Sequence, residues 1–327
     1  MSELHSLQTA KALLPGQPFE GIFVLRKKVT KTARNGAPFL MIELGDKTGS
    51  CGVTVFSDSA VFPVLAEEIF EGAIVRVAAT VDAYQGRFAP RIGTVEQVNA
   101  EELPSEVLGN LVETAPEDAA AMWEELQSMI AAIPHAGLRG VVESVFAEIG
   151  ETFRTSSAAV AMHHAYRHGL LEHTLHMARA ARALLPVYPE IDPSLALAGI
   201  LLHDTGKTIE YTQGLVTKRT RSGILQGHVV LGYQMVRKHG LINKLSPDLL
   251  ERLEHIVLSH QGELEWGAAA MAATPEAVFV SMVDNLDARM GMVQRVLRNA
   301  ASGEEFSDYL PGLKAPVLLT PPPTAEV

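Results

Sequence analysis

The stretch LALAGILLHDTGK, residues 195–207, is an apolar run that ends in a histidine, an aspartate and a lysine. Its nearly uninterrupted apolar character predicts a helix that is buried on all sides. A buried helix carries a carboxylate only where something compensates the charge, and a metal ion bound by His203 and Asp204 would do so. We expect Gly206 to stop the helix, so that both ligands face a cavity into which Lys207 projects. The alternative is a helix end whose histidine and aspartate bond to each other, and ligands on other helices would decide between the two.

The composition is that of a globular protein of about two domains, with 327 residues of which 47% are apolar. The single cysteine, Cys51, excludes an internal disulfide and suits a strand residue in a reducing compartment. Residues 1–17 lack the features of a signal peptide, and no apolar stretch approaches the roughly 20 residues of a membrane span. We therefore expect a cytoplasmic protein without membrane contact. The net charge of −11 lies entirely after Ala100, because acids and bases cancel before it.

The N-terminal part of the chain has the pattern of short strands separated by turn residues. Five strands with a short helix between the third and the fourth is the order of an OB-fold, a small barrel. After an N-terminal segment, residues 1–18, we predict such a domain over residues 19–100. The predicted strands are residues 19–25, 38–44, 50–56, 73–81 and 87–98, and the helix is residues 60–69.

Cations and aromatic side chains cluster in this domain, and the open face of an OB-fold often holds single-stranded nucleic acid. Cations bind backbone phosphates and flat apolar faces stack on bases, so the cluster predicts such an interface. The alternative is a solvated cationic hairpin with the aromatic side chains in the core. The candidates are Arg26, Lys27, Lys28, Lys31, Arg34, Phe39, Phe56, Tyr84 and Phe88.

Residues 101–153 change character, being acidic and helical in periodicity, and we interpret them as a helical connector with a solvated acidic face. Trp123 and Met129 have the spacing of core residues within it. The tail, residues 303–327, is rich in proline and is predicted to be extended or disordered.

Residues 154–302 are predicted to be all-helical, and they hold most of the twelve histidines of the chain. One candidate ligand or ligand pair lies on each of five helices, which a bundle can direct at a common interior point. These candidates are His173, His203 with Asp204, His228, His260 and Asp284. His255 lies about 140° around the helix from His260, so both cannot face one site. His164, Asp287 and Arg289 are expected to support the ligands from behind. For Asp287, which shares a helix face with Asp284, direct contact with the metal stays open as an alternative. His239 is predicted to lie at the surface.

The pattern of His173, then His203-Asp204, then Asp284 resembles the HD-domain superfamily of metal-dependent phosphohydrolases. Longer stretches are similar to the YhaM-type 3′→5′ exoribonucleases, which also place an OB-fold ahead of the helices. These stretches are HHAY at 163–166, GLLEHT at 169–174, LLHDTGK at 201–207, GH at 227–228, SHQG at 259–262 and DNLDAR at 284–289. The resemblance spans about residues 19–298.

The resemblance implies that His173, His203, Asp204 and Asp284 hold one metal ion. It implies that Asp204 bridges to a second ion, which His228 and His260 also hold. One departure matters: this chain has His260-Gln261 where the family often has two consecutive histidines. It leaves open whether one or two ions bind. Mixed histidine and aspartate ligands favour Mn²⁺, Fe²⁺ or Co²⁺ over Mg²⁺, and we expect Mn²⁺.

We therefore predict a metal-dependent 3′→5′ exonuclease of single-stranded RNA, with single-stranded DNA also open as a substrate. The direction and the release of nucleoside 5′-monophosphates come from the resemblance. Asp204 and Lys207 are the predicted catalytic residues, and Arg219 and Arg221 are expected to steer the backbone of the strand. Two alternatives stay open: a hydrolase of small nucleotides, such as a dNTP or a cyclic nucleotide, and a non-catalytic binder of single strands. The sequence also leaves self-association into a homo-oligomer open.

Overall fold

The computed structural model describes residues 4–84, 87–159, 164–300 and 304–320. The chain folds into two compact units. The first unit comprises Met1–Thr114 and Gln213–Val216, and the second comprises Ala115–Thr212 and Thr217–Val327.

The first unit is built on β-strands. They are β1 (Pro18–Thr32), β2 (Pro38–Asp46), β3 (Gly49–Phe56), β4 (Ile74–Thr80), β5 (Ala83–Tyr84), β6 (Arg87–Phe88) and β7 (Arg91–Val98). Five of them form an antiparallel sheet in the order β3-β2-β1-β4-β7. The helices of this unit are α1 (Leu7–Lys11) and α2 (Ser105–Leu108), and Val64–Glu68 forms a single π-helical turn between β3 and β4.

Strand β1 holds this sheet together because it is long enough to pair on both sides. Its first half, Pro18–Val24, pairs with β4, and its second half, from Val24 to Thr32, pairs with β2. A register shift between Leu25 and Lys27 separates the two halves, and such an irregularity bends a strand. This OB-like arrangement confirms the predicted fold class. The structure differs in detail, since one continuous strand was predicted over residues 87–98, whereas Arg87–Phe88 (β6) pairs with Ala83–Tyr84 (β5) apart from β7.

The second unit is all-helical, again as predicted. Its helices are α3 (Ala119–Ala131), α4 (Ala136–Thr155), α5 (Gly169–Leu184), α6 (Pro193–Leu202), α7 (Lys207–Glu210), α8 (Arg221–Ile242), α9 (Pro247–Ser259) and α10 (Pro275–Asn299). Helix α6 contacts α4, α5, α9 and α10, and every residue from Ser194 to Leu202 is buried. The continuous apolar run thus forms the central helix of this unit.

Helices α3 and α4 differ from the predicted connector, because they belong to the core of the helical unit. Met122, Leu126 and Met129 on α3 are buried, and Trp123 packs edge-on against Phe146 of α4. The acidic side chains occupy the opposite face, so acidity alone does not distinguish a connector from an amphipathic helix of a bundle.

The described part of the tail, residues 304–320, contains two isolated antiparallel bridges, Phe306 with Leu318 and Leu310 with Ala315. It therefore turns back on itself where an extended or disordered tail was predicted. The final proline run, residues 321–323, lies outside the described residues. Within the described ranges, we find no helix that is both long enough and apolar enough to cross a membrane.

Candidate metal centre

The helical unit brings all six predicted metal ligands together. His173 lies on α5, and Asp284 lies on α10. His203 and Asp204 follow the last residue of α6, and His260 directly follows α9. His228 lies on α8, just after a kink at Gly227, where a positive φ of 72° interrupts the helix. Five helices thus direct side chains at one interior point.

The turn after Asp204 depends on Gly206, although for a different reason than the sequence suggested. Gly206 has φ −62° and lies in the ordinary helical region, so it is not a left-handed helix stop. A Cβ atom at this position would instead collide with the backbone of His228 and Gly232 on α8. The glycine allows the turn that carries Asp204 to pack directly against the helix that carries His228.

One carboxylate oxygen of Asp204, Oδ2, faces two histidines. It lies 3.2 Å from His203 Nε2 and 3.6 Å from His173 Nε2. The two Nε2 atoms are 3.3 Å apart, and Asp284 Oδ1 lies 3.3 Å from His173 Nε2. His173 and His203 are fully buried. This group, which we call the His173 cluster, consists of His173, His203, Asp204 and Asp284.

The other oxygen, Asp204 Oδ1, faces a second pair of histidines. It lies 3.5 Å from His228 Nε2 and 3.5 Å from His260 Nε2. Asp204 Oδ1 is buried and accepts no hydrogen bond from the described residues. A buried carboxylate oxygen without a donor is costly unless a cation meets it. We call Asp204, His228 and His260 the His228 cluster, and its donors suit a divalent ion.

Backbone carbonyl groups orient two of the four histidine rings. His203 Nδ1 donates to Ile200 O at 2.6 Å, and His260 Nδ1 donates to Val257 O at 2.7 Å. Each acceptor is three residues earlier, at the end of the helix that precedes the histidine. Both rings therefore present the Nε2 lone pair to Asp204, which is the form that binds a metal.

Carboxylates orient the other two rings. His173 Nδ1 donates to Asp287 Oδ2 at 2.7 Å, and His228 Nδ1 donates to Glu210 Oε2 at 2.7 Å. Carboxylate partners raise the basicity of a ligand and fix its tautomer. Asp287 was expected from the sequence, but Glu210 was not, since no spacing rule links it to a histidine 18 positions further on.

Gln261 occupies the space between the two rings of the His228 cluster. Its Nε2 lies 3.2 Å from His228 Nε2 and 3.0 Å from His260 Nε2. Because both Nδ1 atoms already donate elsewhere, both Nε2 atoms are acceptors, and the amide group of Gln261 donates to them. The residue that departs from the family pattern thus satisfies the lone pairs that a second ion would use.

Lys207 is a buried partner of Asp204, with its Nζ 2.6 Å from Asp204 Oδ2. Burial alone would raise the pKa of Asp204, but the positive charge of Lys207 is the largest opposing influence and holds the pKa well below its usual value. Burial would likewise lower the pKa of Lys207, but Asp204 raises it above the ordinary lysine value. Both side chains are therefore charged at neutral pH.

A network of buried polar side chains stands behind His173. Asp287 Oδ2 accepts from His164 Nε2 at 3.0 Å, and His164 Nδ1 lies 2.7 Å from Glu172 Oε2. Burial would raise the pKa of Asp287, but hydrogen bonds from His164, His173 and His176 lower it far below its ordinary value. The structure thus places His164 and Asp287 behind the ring of His173, whereas His163 lies outside the described residues.

Three predicted arginines have different places. Arg289 is exposed and its Nε donates to Asn285 Oδ1, so the structure does not bring it to the histidines. Arg219 Nε lies 3.4 Å from Glu210 Oε1, which connects it to the ring of His228. Arg221 is exposed in the first turn of α8.

In the β unit, part of the predicted interface forms one exposed sheet face. Lys31 on β1 is paired with Phe39 on β2, which is paired with Phe56 on β3, so the three side chains lie in one row. The rings of Phe39 and Phe56 are 6.0 Å apart, and Phe56 is 58% exposed. Lys27 lies on the same face and is exposed, as is Arg34 in the β1-β2 loop. We call this set the Phe56 face.

Two cations of the predicted cluster are engaged within the β unit instead. Lys28 Nζ donates to the carbonyl oxygens of Leu65, Ala66 and Ile69 at 2.7–3.1 Å, where the π-helical turn ends. Arg26 Nη2 donates to Asp46 O at 2.7 Å. Both side chains are half-buried and satisfy backbone groups, which corrects their assignment to a phosphate-binding surface.

Two aromatic candidates remain. Phe88 packs against Phe19, with ring centroids 6.2 Å apart, at the edge of the core of the β unit. The side chain of Tyr84 lies outside the described part of the chain.

The fold and the site define a class: an OB-like β unit followed by a helical bundle with a histidine and aspartate centre that can hold divalent metal. Residues 170–289 match the family model for the HD domain, and this match supports an HD-domain metal-dependent phosphohydrolase. All six ligands lie within the matched residues.

Two solved structures are also similar to parts of this chain. One is a chain of a replication protein A heterotrimer bound to ssDNA, at 23% identity and a TM-score of 0.22, covering 33% of this chain and 77% of that chain. The other is an asparaginyl-tRNA synthetase of Entamoeba histolytica in complex with asparaginyl-adenylate, at 14% identity and a TM-score of 0.24, covering 46% of this chain and 36% of that chain. At these TM-scores neither similarity bears on the fold or on a ligand.

Proposed function

We propose that this protein is a metal-dependent 3′→5′ exonuclease that acts on single-stranded RNA and releases nucleoside 5′-monophosphates. The observation that carries the proposal is the position of Asp204, whose two carboxylate oxygens each face a separate pair of histidines. One shared carboxylate between two sets of imidazole donors suits a pair of divalent ions, and the donor types favour Mn²⁺. The substrate and the direction rest on the sequence resemblance.

Divalent ions in the two clusters would supply a nucleophile from water at neutral pH and neutralise charge on the phosphate. The protein's own residues hold the geometry. Asp287 and Glu210 fix the rings of His173 and His228, and Lys207 keeps Asp204 ionised. Its ammonium group can also exchange Asp204 for a phosphoryl oxygen of the substrate, where a fixed positive charge stabilises the transition state.

The Phe56 face supports a single-stranded substrate. An exposed pair of aromatic rings with a lysine in the same row offers stacking to bases and a charge to phosphates. In this proposal the β unit holds the strand and the helical unit cleaves it. A hydrolase of small nucleotides would need the metal centre but not the Phe56 face.

The test is to incubate the full-length protein with Mn²⁺ and a single-stranded RNA labelled at its 5′ end. We expect a ladder of shortened labelled fragments, absent with Asp204→Asn and retained with Asp248→Asn, a matched change at an exposed aspartate of α9. An intact strand in every lane contradicts the exonuclease. Turnover of a dNTP or a cyclic nucleotide under the same conditions would then assign the centre to small nucleotides, and strand binding without turnover would leave a binder.

The role of the Phe56 face is tested with Phe56→Ala in the same assay. Loss of one stacking partner costs about 1–3 kcal/mol, or about 5- to 140-fold in affinity, and should affect long strands more than short ones. Phe70→Ala is the control, because Phe70 is an exposed phenylalanine elsewhere in the β unit. Equal effects of the two changes would exclude the face as the binding surface.

A further inference from the structure

A cleft of about 350 Å³ opens beside the His228 cluster, within the helical unit. We call it the Trp266 cleft, and the residues that matter for its chemistry are Glu210, Arg219, Ile224, Leu225, His228 and Trp266. Its volume is within the range of about 300–1,000 Å³ typical of small-molecule sites. His228 and Glu210 belong both to the cleft and to the metal centre, so a ligand in the cleft would lie next to that centre.

One part of the cleft is charged. His228 presents Nε2 to Asp204, and Glu210 holds the other nitrogen of the ring. Arg219 contacts Glu210 at 3.4 Å while its side chain remains 59% exposed, so its guanidinium group can meet a ligand from solvent. A guanidinium group next to a metal centre suits a phosphate.

The other part of the cleft is apolar and open to water. Trp266 is 53% exposed, and Ile224 and Leu225 are 69% and 67% exposed. Large apolar side chains gathered at the mouth of a polar cleft usually mark a ligand with an apolar surface. An indole ring with aliphatic side chains nearby suits a flat heterocycle, and stacking of a nucleobase on an aromatic ring is worth about 1–3 kcal/mol.

The apolar part of the cleft has two walls, one formed by Ile224 and Leu225 and the other by Trp266. Each wall is close in sequence to a candidate metal ligand. Ile224 and Leu225 lie on α8 just before the kink that precedes His228. Trp266 ends a short 3₁₀ helix, Leu264–Trp266, that follows His260 closely. Placement of the ligands therefore also places the two walls of the cleft.

We propose that the Trp266 cleft binds the 3′-terminal nucleotide of the strand, with its 5′-phosphate toward His228 and Arg219 and its base stacked on Trp266. This inference rests on the proposed function, since it assigns the nucleotide that leaves as a 5′-monophosphate. Every base has a flat face, so the cleft accepts all four bases and favours purines for their larger stacking area.

The kinetic test combines Trp266→Ala with a strand whose last nucleotide is an abasic ribose. With an intact strand, Trp266→Ala should raise KM about 5- to 140-fold, and Trp266→Phe should retain most of the affinity. For the wild type, KM should be higher by the same factor on the abasic strand than on the intact strand. For Trp266→Ala, the two strands should have the same KM. Equal discrimination by wild type and variant would overturn the proposal, even if the protein is an exonuclease.

A binding test decides the question without catalysis. The chain has two tryptophans, so in Trp123→Phe the emission comes from Trp266 alone. Trp123 packs on Phe146 and Arg154, outside the cleft. We expect adenosine 5′-monophosphate, with Mg²⁺ present, to quench this emission saturably, and ribose 5-phosphate to compete without quenching. No quenching by the nucleotide would exclude the stack. Quenching in a protein that degrades no RNA would keep the subsite and reject the exonuclease.

Discussion

Gln261 should weaken the binding of an ion to the His228 cluster, and its removal should strengthen that binding. The amide nitrogen lies 3.2 Å from His228 Nε2 and 3.0 Å from His260 Nε2, so it satisfies both lone pairs that an ion would need. An incoming ion must displace two hydrogen bonds, each worth about 0.5–1.5 kcal/mol net. Gln261 is partly exposed, so the displaced amide finds water and no larger cost applies.

The expected gain in Gln261→Ala is therefore about 1–3 kcal/mol, or about 5- to 140-fold in the dissociation constant of that ion. The assay is calorimetric titration of Mn²⁺ into the metal-free protein, which separates a tight binding step from a weak one. Gln234→Ala is the matched control, because the amide of Gln234 bonds to Gln226 on the exposed surface of α8.

Two outcomes would refute this reasoning. An unchanged affinity would mean that the amide leaves the site at no cost. A weaker second event in Gln261→Ala would mean that the side chain turns and offers Oε1 as a ligand. The amide group bonds to His228 and His260, which belong to the His228 cluster alone, so the affinity of the His173 cluster for an ion should stay the same in both variants.

Four further predictions concern other parts of the molecule. Glu210→Ala should weaken the binding of an ion to the His228 cluster about 10- to 100-fold in the same titration, because the ring of His228 loses its carboxylate partner. An unchanged dissociation constant would mean that Glu210 only contributes to packing. Leu201→Ala should cost about 2–5 kcal/mol of unfolding free energy in urea, since Leu201 is buried in the central helix. Burial raises the pKa of Cys51 from 9.0 to about 11. The neutral thiol therefore makes its full contribution to the free energy of unfolding below about pH 9, and this contribution is lost as the pH rises to 11, by up to about 1.4 kcal/mol per pH unit. Melting curves of Cys51→Ala over the same pH range should lack this loss. Lys28→Met should lower the melting temperature and leave the affinity for RNA unchanged, because Lys28 bonds to backbone carbonyl groups. Lys31→Met should instead lower the affinity for RNA and leave the melting temperature unchanged.

The side chains that converge on Asp204 could be selected from the sequence because each has its own local signal. Asp204 ends an apolar run in which a carboxylate needs compensation, and His260 lies at a helix end where its neighbour His255 points elsewhere. Glu172, by contrast, was overlooked, although a buried carboxylate beside His173 is the same kind of signal. Glu210 could not be found this way, because its partner is on another helix and only the packing of α7 on α8 brings them together.

The surface charges were the least predictable part of the β unit. A run of cations indicates a basic region but does not show which ammonium groups reach solvent. Strand alternation places Lys27 and Lys31 on one face of the sheet and Lys28 on the other. On that other face, Lys28 donates to backbone carbonyl oxygens. The prediction that His239 lies at the surface was wrong for a similar reason. It is buried between Ser144 Oγ and Glu148 Oε2, two partners about 90 positions away in sequence.

The order of the ligands along the chain has a consequence for synthesis. Asp284 lies on α10, after every other ligand, so a growing chain that leaves the ribosome N-terminus first presents the β unit long before it presents this carboxylate. The sheet face can fold early, but the His173 cluster lacks one of its two carboxylates until the last helix has been made. A nascent chain can thus form the Phe56 face, the proposed surface for single strands, before it acquires a complete centre.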